Sequence, residues 1–139
     1  MSDIVDDWPP RPTNTRVLEL HAAALKHSGG MPGLREPGLL DGAVAGAITA
    51  TLYTSPNDTM DPLWMAAHLL CYIARDHPFV DGNKRVAWLS CEEQLRLVRL
   101  RVTAAVDDAE RLVLDVVARR LEARDIVAWL AARLSPYDP

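Results

Sequence analysis

HPFVDGNKR, residues 77–85, is the stretch of this chain that decides how the rest is interpreted. In nine residues it places an imidazole, a carboxylate, an amide, an ammonium and a guanidinium beside a proline and a glycine. The proline ends the helix before the stretch, because its ring cannot continue a helix. A base, a carboxylate that can hold Mg²⁺ and two cations that can hold phosphate oxygens together predict chemistry on a phosphate group.

Helical patterning on both sides of this stretch predicts an all-α protein of about six helices. Asp61 as N-cap and Pro62 at the first helical position start a central helix that runs to about Asp76. The other helices are predicted at Asn14 to about Lys26 with Asn14 as the cap, Leu39–Leu52, Asn83–Leu100, Ala109–Arg119 behind a capping box of Asp107 and Glu110, and Ala123–Leu134. Val102 is predicted to add a short extended piece.

Length and composition predict a single domain over residues 14–139. The first thirteen residues contain three Asp and three Pro and are predicted to form a flexible arm. Ser28–Gly38 carries four glycines and two prolines in eleven residues, which predicts a loop or a short hairpin.

Charge and hydropathy exclude several classes of protein. The net charge is −4 and no stripe of Lys and Arg is present, so direct nucleic-acid binding is not expected. The apolar stretches Leu39–Leu52 and Leu63–Ala74 are too short to span a bilayer, and the N-terminus is acidic, unlike a signal peptide. Cys71 and Cys91 are expected to be buried thiols in a reduced cytoplasm, where we expect the protein to reside.

Position by position, residues 77–85 resemble the motif of the Fic/Doc family, His-x-Phe-x-Asp/Glu-(Gly/Ala)-Asn-(Gly/Lys)-Arg. Gly29–Asp41 resembles the glycine-rich segment of the Doc toxins in that family, and the helices in Ala109–Leu134 are similar to theirs. The resemblance therefore extends over nearly the whole chain. It implies a Fic/Doc-like helical bundle with a short glycine-rich flap, Gly29–Gly38, that holds a target peptide by strand addition.

The resemblance to Doc is closer than that to the Fic enzymes, because Lys84 stands where Fic enzymes have a second glycine. It implies that ATP binds with its γ-phosphate near the histidine and that the product is a phosphorylated protein. An arginine usual in Fic enzymes is Trp88 here, whereas Gly82 is the residue found in them. The alternative activity is therefore Fic-type transfer of AMP to a protein.

The resemblance also implies a role for each residue of the motif. His77 is the expected general base, Asp81 the expected Mg²⁺ ligand, and Asn83 is expected to steady phosphate or metal. Phosphate oxygens are expected to be held by Lys84, Arg85 and Arg75 and by the backbone near Gly82. The expected target is a translation factor such as elongation factor Tu, and its modification would arrest growth.

The expected partner is a Phd-type antitoxin whose C-terminal helix fills a hydrophobic groove. Many Fic proteins instead carry their own inhibitory motif, but the nearest match here, Thr15–Leu20, fails at its last position. The residues leave two other functions to consider. One is a metal-dependent phosphohydrolase built on Asp76, His77, Asp81 and His68, but their spacing does not match the His-Asp pairing of such enzymes. The other is a binding module without catalysis. His21 and His27 are predicted to lie at the surface.

Overall fold

The computed structural model describes residues 10–56 and 60–138. These residues contain six helices and one two-stranded sheet, which confirms the predicted all-helical class. The elements are α1 (Asn14–Ser28), α2 (Leu39–Thr54), α3 (Pro62–Asp76), α4 (Asn83–Leu97), β1 (Leu100–Val102), α5 (Val106–Val117), α6 (Ala123–Ala131) and β2 (Leu134–Pro136).

Helix α3 is the centre of the bundle and packs against α2, α4, α5 and α6. Its middle is buried on almost every side, from Met65 through Cys71 and again at Ile73 and Ala74. It begins as predicted, because the Asp61 carboxylate accepts a hydrogen bond from the Leu63 N–H at 2.8 Å. A helix that is apolar all round requires neighbours all round, and this requirement makes α3 the core element.

Two predicted helix starts were wrong in their capping residue. At α1 the cap is Thr13, whose hydroxyl accepts from the Arg16 N–H at 3.0 Å, while the Asn14 side chain bonds to Asp41. At α5 the predicted capping box is absent, and the helix begins at Val106 with no side-chain cap.

A capping box does occur at α6, where the side chains of Glu122 and Asp125 reciprocally accept backbone N–H groups. Helix α5 also ends earlier than predicted, at Val117.

The predicted ends of α4 and α6 were too late, because the segments that follow these two helices pair with each other as strands. After Leu97 the chain turns and forms β1, and after Ala131 it forms β2. The two strands are antiparallel, with Val102 opposite Leu134 and Leu100 opposite Pro136. The extended piece predicted at Val102 is confirmed, and its partner strand had not been predicted.

Residues 1–9 of the predicted arm lie outside the described residues. The four that follow lie against the domain: Pro12 is buried and the carbonyl of Pro10 accepts from the Gln94 side chain at 2.8 Å. Cys71 and Cys91 are buried and unpaired, as expected. In the described part of the chain, no helix has the length and apolarity that crossing a membrane requires.

Candidate active site

The residues of the HPFVDGNKR stretch connect the end of α3 to the start of α4, and we call residues 77–82 the motif loop. His77 ends α3 in the left-handed region at φ 49°, and Gly82 precedes α4 at φ 78°. Gly82 adopts this conformation without the strain that a Cβ would cause. Two left-handed residues thus reverse the chain between two buried helices.

The flap, residues 29–38, is hydrogen-bonded along the motif loop. The Val80 N–H donates to the carbonyl of Gly33 at 3.0 Å, and the Arg35 N–H donates to the carbonyl of Pro78 at 2.8 Å. These bonds form a short antiparallel bridge between Leu34 and Phe79. One edge of the flap is therefore already paired with the loop.

Arg35 fixes the end of α3 from the flap. Its guanidinium donates to the carbonyl oxygens of His77 at 2.8 Å and Asp76 at 3.1 Å. A cation is favourable here, since the last carbonyls of a helix carry its negative dipole end. Among the described residues, the imidazole of His77 itself has no hydrogen-bond or ion-pair partner, so its ring nitrogens are available to a substrate.

Asn83 closes the loop on itself. Its side-chain carbonyl accepts from the Phe79 N–H and its NH₂ donates to the Phe79 carbonyl, both at 2.9 Å. Phe79 is 1% exposed and anchors the loop in the core. Because both polar atoms of the Asn83 amide bond to Phe79, this residue shapes the loop. The amide keeps one N–H and one lone pair, and its expected contact with phosphate or metal stays a prediction.

Asp81 presents its carboxylate at the surface between the flap and α4. One oxygen accepts from the Gly82 N–H at 2.9 Å and the other from the Met31 N–H at 3.2 Å. Each carboxylate oxygen keeps a further lone pair for a ligand. Within the described residues, no three His, Cys, Asp or Glu side chains converge on a metal position. Asp81 alone suits Mg²⁺ that arrives with a nucleotide, since Mg²⁺ is commonly held by one or two carboxylates plus substrate phosphates.

Lys84 and Arg85 lie in the first turn of α4 and are exposed. In the described part of the chain their side chains form no hydrogen bond or ion pair. The first N–H groups of a helix lack intrahelical partners and carry its positive dipole end. Two free cations at such a helix end create a site suited to an anion.

The same two cations line a groove with a volume of about 500 Å³. We call it the α4–α5 groove. Its lining residues are Ser28, Lys84, Arg85, Trp88, Leu89, Glu92, Val102, Ala104, Val106, Ala109, Glu110, Val113 and Leu114. It includes neither His77 nor Asp81, so it leads away from the motif loop along α4.

Two walls of the groove differ in character. Trp88 packs edge-on against Trp129 with ring centroids 6.0 Å apart, so it forms part of a rigid apolar wall. Glu92 is half-buried, and burial raises the pKa of its carboxyl above the usual range, an effect that nearby Arg85 opposes. The groove therefore combines apolar surface with a carboxylate.

Arg75 is not part of the motif loop. Its guanidinium donates to the carbonyls of Val116 at 3.0 Å and Leu121 at 2.8 Å and pairs with Glu122 at 3.3 Å. Only 14% of its side chain is exposed. Its donors therefore join α3 to the α5–α6 connection, and its expected phosphate contact stays a prediction.

His21 was missed by the sequence analysis, and its predicted surface position was wrong. It is 5% exposed, and its ring stacks on Phe79 with centroids 3.8 Å apart. The available signal was its spacing, because Val17, His21 and Ala24 recur at helical intervals and form the buried face of α1.

Comparison with known proteins agrees with this arrangement. The profile of the Fic/DOC family matches residues 12–95, which is more than half of the chain. The chain belongs to the Fic/DOC family. The match covers α1, the flap, the motif loop and all but the last two residues of α4, so the motif loop and the flap lie within the family's own segment.

A curated relative within the Fic/DOC family is the Toxin Doc of Mycolicibacterium smegmatis. It is 42% identical to this chain over 106 residues, which cover 74% of this chain and 79% of the relative. The similarity thus extends beyond the motif to most of the bundle.

Proposed function

We propose that this Fic/DOC protein is the toxin of a toxin–antitoxin module and that it transfers the γ-phosphoryl group of ATP to a protein hydroxyl. The observation that carries the proposal is the pair of exposed cations, Lys84 and Arg85, at the start of α4 directly after the motif loop; neither forms a hydrogen bond or ion pair with a described residue. They offer charge to phosphate oxygens at the helix end where backbone N–H groups also point.

His77 is the proposed general base in this reaction. Its ring forms no hydrogen bond or ion pair with a described residue, while Arg35 holds its backbone carbonyl in place. An unoccupied ring nitrogen can take the proton of a substrate hydroxyl as that oxygen attacks phosphorus. Mg²⁺ bound with ATP would neutralise charge on the transferring phosphate, and Asp81 is the carboxylate placed to hold it.

Phosphoryl transfer is favoured over AMP transfer by two residues. Lys84 fills the place of the second glycine of the Fic motif and adds a side chain where a phosphate would otherwise approach bare backbone. Trp88 stands where Fic enzymes have an arginine, and its indole is committed to the edge-on contact with Trp129. AMP transfer remains the alternative, since Gly82 matches the Fic motif.

Incubation of the protein with Mg²⁺, ATP and elongation factor Tu, followed by intact-mass analysis, tests the proposal. We expect an adduct with the mass of one phosphoryl group on the factor, absent with His77→Ala. An adduct with the mass of AMP would establish the alternative. If the factor is unmodified, the same analysis on proteins of a cell lysate shows whether another target carries the group.

We propose that the α4–α5 groove binds a segment of the antitoxin. Val106 and Leu114, which are 66% and 53% exposed, line this groove, and the charged residues Lys84, Arg85, Glu92 and Glu110 line it as well. An amphipathic helix fits such an apolar groove with charged ends. Self-inhibition is not proposed, because Glu19 of the nearest inhibitory-like segment pairs with Arg16 on its own helix at 3.1 Å.

Leu114→Glu tests this groove with Leu52→Glu as its control, since Leu52 is 41% exposed but lies outside the groove. Only Leu114→Glu places a charge in the groove, where a bound apolar face of the antitoxin helix would bury it at a cost in binding free energy. In cells that co-express the proposed antitoxin, we expect the Leu114→Glu variant to arrest growth and the Leu52→Glu variant to stay neutralised by the antitoxin. Equal neutralisation of both variants would place the antitoxin elsewhere.

A further inference from the structure

The motif loop packs against a histidine from a distant part of the chain. His21, on α1, lies directly beneath residues 79–82 and is almost fully buried. Its ring is nearly parallel to that of Phe79, with 11° between the planes and 3.8 Å between the centroids. The stacking fixes the plane in which the imidazole lies, and therefore the direction in which its nitrogens point.

The imidazole also binds the backbone of the loop. Nε2 and the carbonyl oxygen of Asp81 are 2.8 Å apart. A carbonyl oxygen can only accept, so Nε2 carries the proton and donates it. This bond connects residues 60 positions apart and ends on the residue whose carboxylate is the proposed Mg²⁺ ligand.

The neighbouring glycine rests on the same support. A Cβ added to Gly82 would lie 3.5 Å from the side chain of Leu25 and 3.6 Å from Nε2 of His21. The backbone of the loop thus sits on one face of α1, while the Asp81 carboxylate and the start of α4 face outward. The Asp81 carbonyl and the Gly82 N–H belong to one peptide plane, and that N–H donates to the Asp81 carboxylate at 2.9 Å. Turning the carbonyl away from His21 would therefore also turn this N–H away from the carboxylate.

We propose that His21 is a positioning residue that holds the motif loop in its active conformation through the Asp81 carbonyl. The stack with Phe79 fixes the orientation of the His21 ring, and the hydrogen bond to the Asp81 carbonyl fixes the position of the loop backbone. The catalytic part of this inference rests on the proposed phosphoryl transfer, whereas the positioning part concerns the loop alone. A displacement of about 1 Å at a reacting group can reduce a rate about 100-fold.

Three variants separate the two contacts. His21→Phe keeps an aromatic ring beside Phe79 and removes the donor. His21→Gln keeps an N–H donor that reaches the carbonyl and removes the ring. His68→Phe makes the same change as the first variant at another buried histidine, 7% exposed, which bonds to Thr54 and to no residue of the loop.

The first readout is native-state hydrogen exchange at the amides of Phe79 and Val80, which bond to Asn83 and Gly33. We expect His21→Phe to increase their exchange about tenfold or more relative to amides in the middle of α3. His21→Gln should restore most of the protection, and His68→Phe should leave it unchanged. This readout requires no activity, so it stands even where the proposed function fails.

The second readout is the Mg²⁺ concentration that gives half the maximal rate of phosphoryl transfer to elongation factor Tu. We expect His21→Phe to raise it several-fold and His21→Gln to bring it back towards the original value. Unchanged loop exchange in His21→Phe would overturn the proposal. A loss of protection spread equally over the loop and α3, matched by His68→Phe, would also overturn it, because it would show a general packing role. A wild-type protein that transfers no phosphate would contradict the proposed function and leave the exchange experiment to decide on His21.

Discussion

At the scale of single residues, the position of the Asp81 carboxylate depends on a glycine in the flap. Gly30 has φ 125°, and a Cβ added there would lie 2.9 Å from Oδ2 of Asp81 and 2.9 Å from Cδ2 of Leu25. Gly33 has a similar φ of 106° but open space around its added Cβ. A side chain at either glycine would therefore be strained by the positive φ, and the two positions differ in the atoms that the side chain would contact.

Gly30→Ala should consequently reduce phosphoryl transfer much more than Gly33→Ala. Both variants lose about 1–2 kcal/mol of stability from the unfavourable φ. Only the first pushes the carboxylate away from its place, and we expect a fall of about tenfold or more in kcat. Single-turnover kinetics on both variants measure the difference in rate. Thermal unfolding of both variants shows whether their stabilities are equal. Equal losses of rate in the two would show that flap strain, not the carboxylate, controls activity.

The residue scale is also where sequence interpretation was strongest and weakest. Asp61 and Pro62 predicted the start of α3 because a cap and an N1 proline act locally. Thr13 and Asn14 are both good capping residues, and local chemistry alone did not distinguish them. His21 escaped prediction because its role comes from a stack and a hydrogen bond to residues about 60 positions away.

At the scale of helices and strands, Arg75 joins α3 to the α5–α6 connection. Arg75→Met removes the donors to two backbone carbonyls in a part-buried place, for which we expect a loss of about 1–3 kcal/mol of unfolding free energy. The control is Arg120→Met, because Arg120 is 73% exposed and its ion pair with Asp115 contributes about 0–1 kcal/mol. Urea unfolding gives the stabilities, and calorimetric titration with ATP gives the affinities. Weakened ATP binding by Arg75→Met at unchanged stability would support the phosphate role expected for this residue.

Adjacent glutamates on α4 have opposite effects on the helix. Glu93 is 6% exposed and accepts hydrogen bonds from Arg96 at 2.7 Å and Arg16 at 3.1 Å, which lower the pKa of its carboxyl despite its burial. Glu92 faces the groove, where burial raises the pKa of its carboxyl. At pH 7 the charge of Glu93 is stabilising and the charge of Glu92 is destabilising.

Glu93→Gln should lower the free energy of unfolding at pH 7 by about 1–2 kcal/mol, whereas Glu92→Gln should raise it slightly. The contribution of Glu93 is fully present above its unfolded pKa of about 4.5 and is lost as the pH falls through its lower folded pKa. The penalty from Glu92 disappears as the pH falls through its raised folded pKa. Thermal unfolding of both variants between about pH 3 and about pH 7 tests the direction of each change in stability. Shifts of the same sign at pH 7 would contradict them.

At the scale of the whole molecule, the class of fold followed from helical periodicity, while the ends of several helices did not. The apolar pattern of α3 predicted a central helix, and the proline of the motif loop predicted where that helix stops. The pairing of Leu100–Val102 with Leu134–Pro136 joins segments far apart in the chain, so it left no local periodic signal and both preceding helices were predicted too long. The site was predicted as a set of residues, but the division between those that face a ligand and those that hold the loop required the structure.

That division leads to the central claim, which is that His77 promotes transfer of the γ-phosphoryl group. The most direct measurement uses two samples of ATP, one labelled at the γ-phosphate and one at the α-phosphate, each incubated with the protein, Mg²⁺ and the proteins of a cell lysate. We predict that a protein band acquires the γ-label, that none acquires the α-label, and that His77→Ala abolishes the transfer. Transfer of the α-label, or γ-label transfer that persists in a folded His77→Ala variant, would contradict the account.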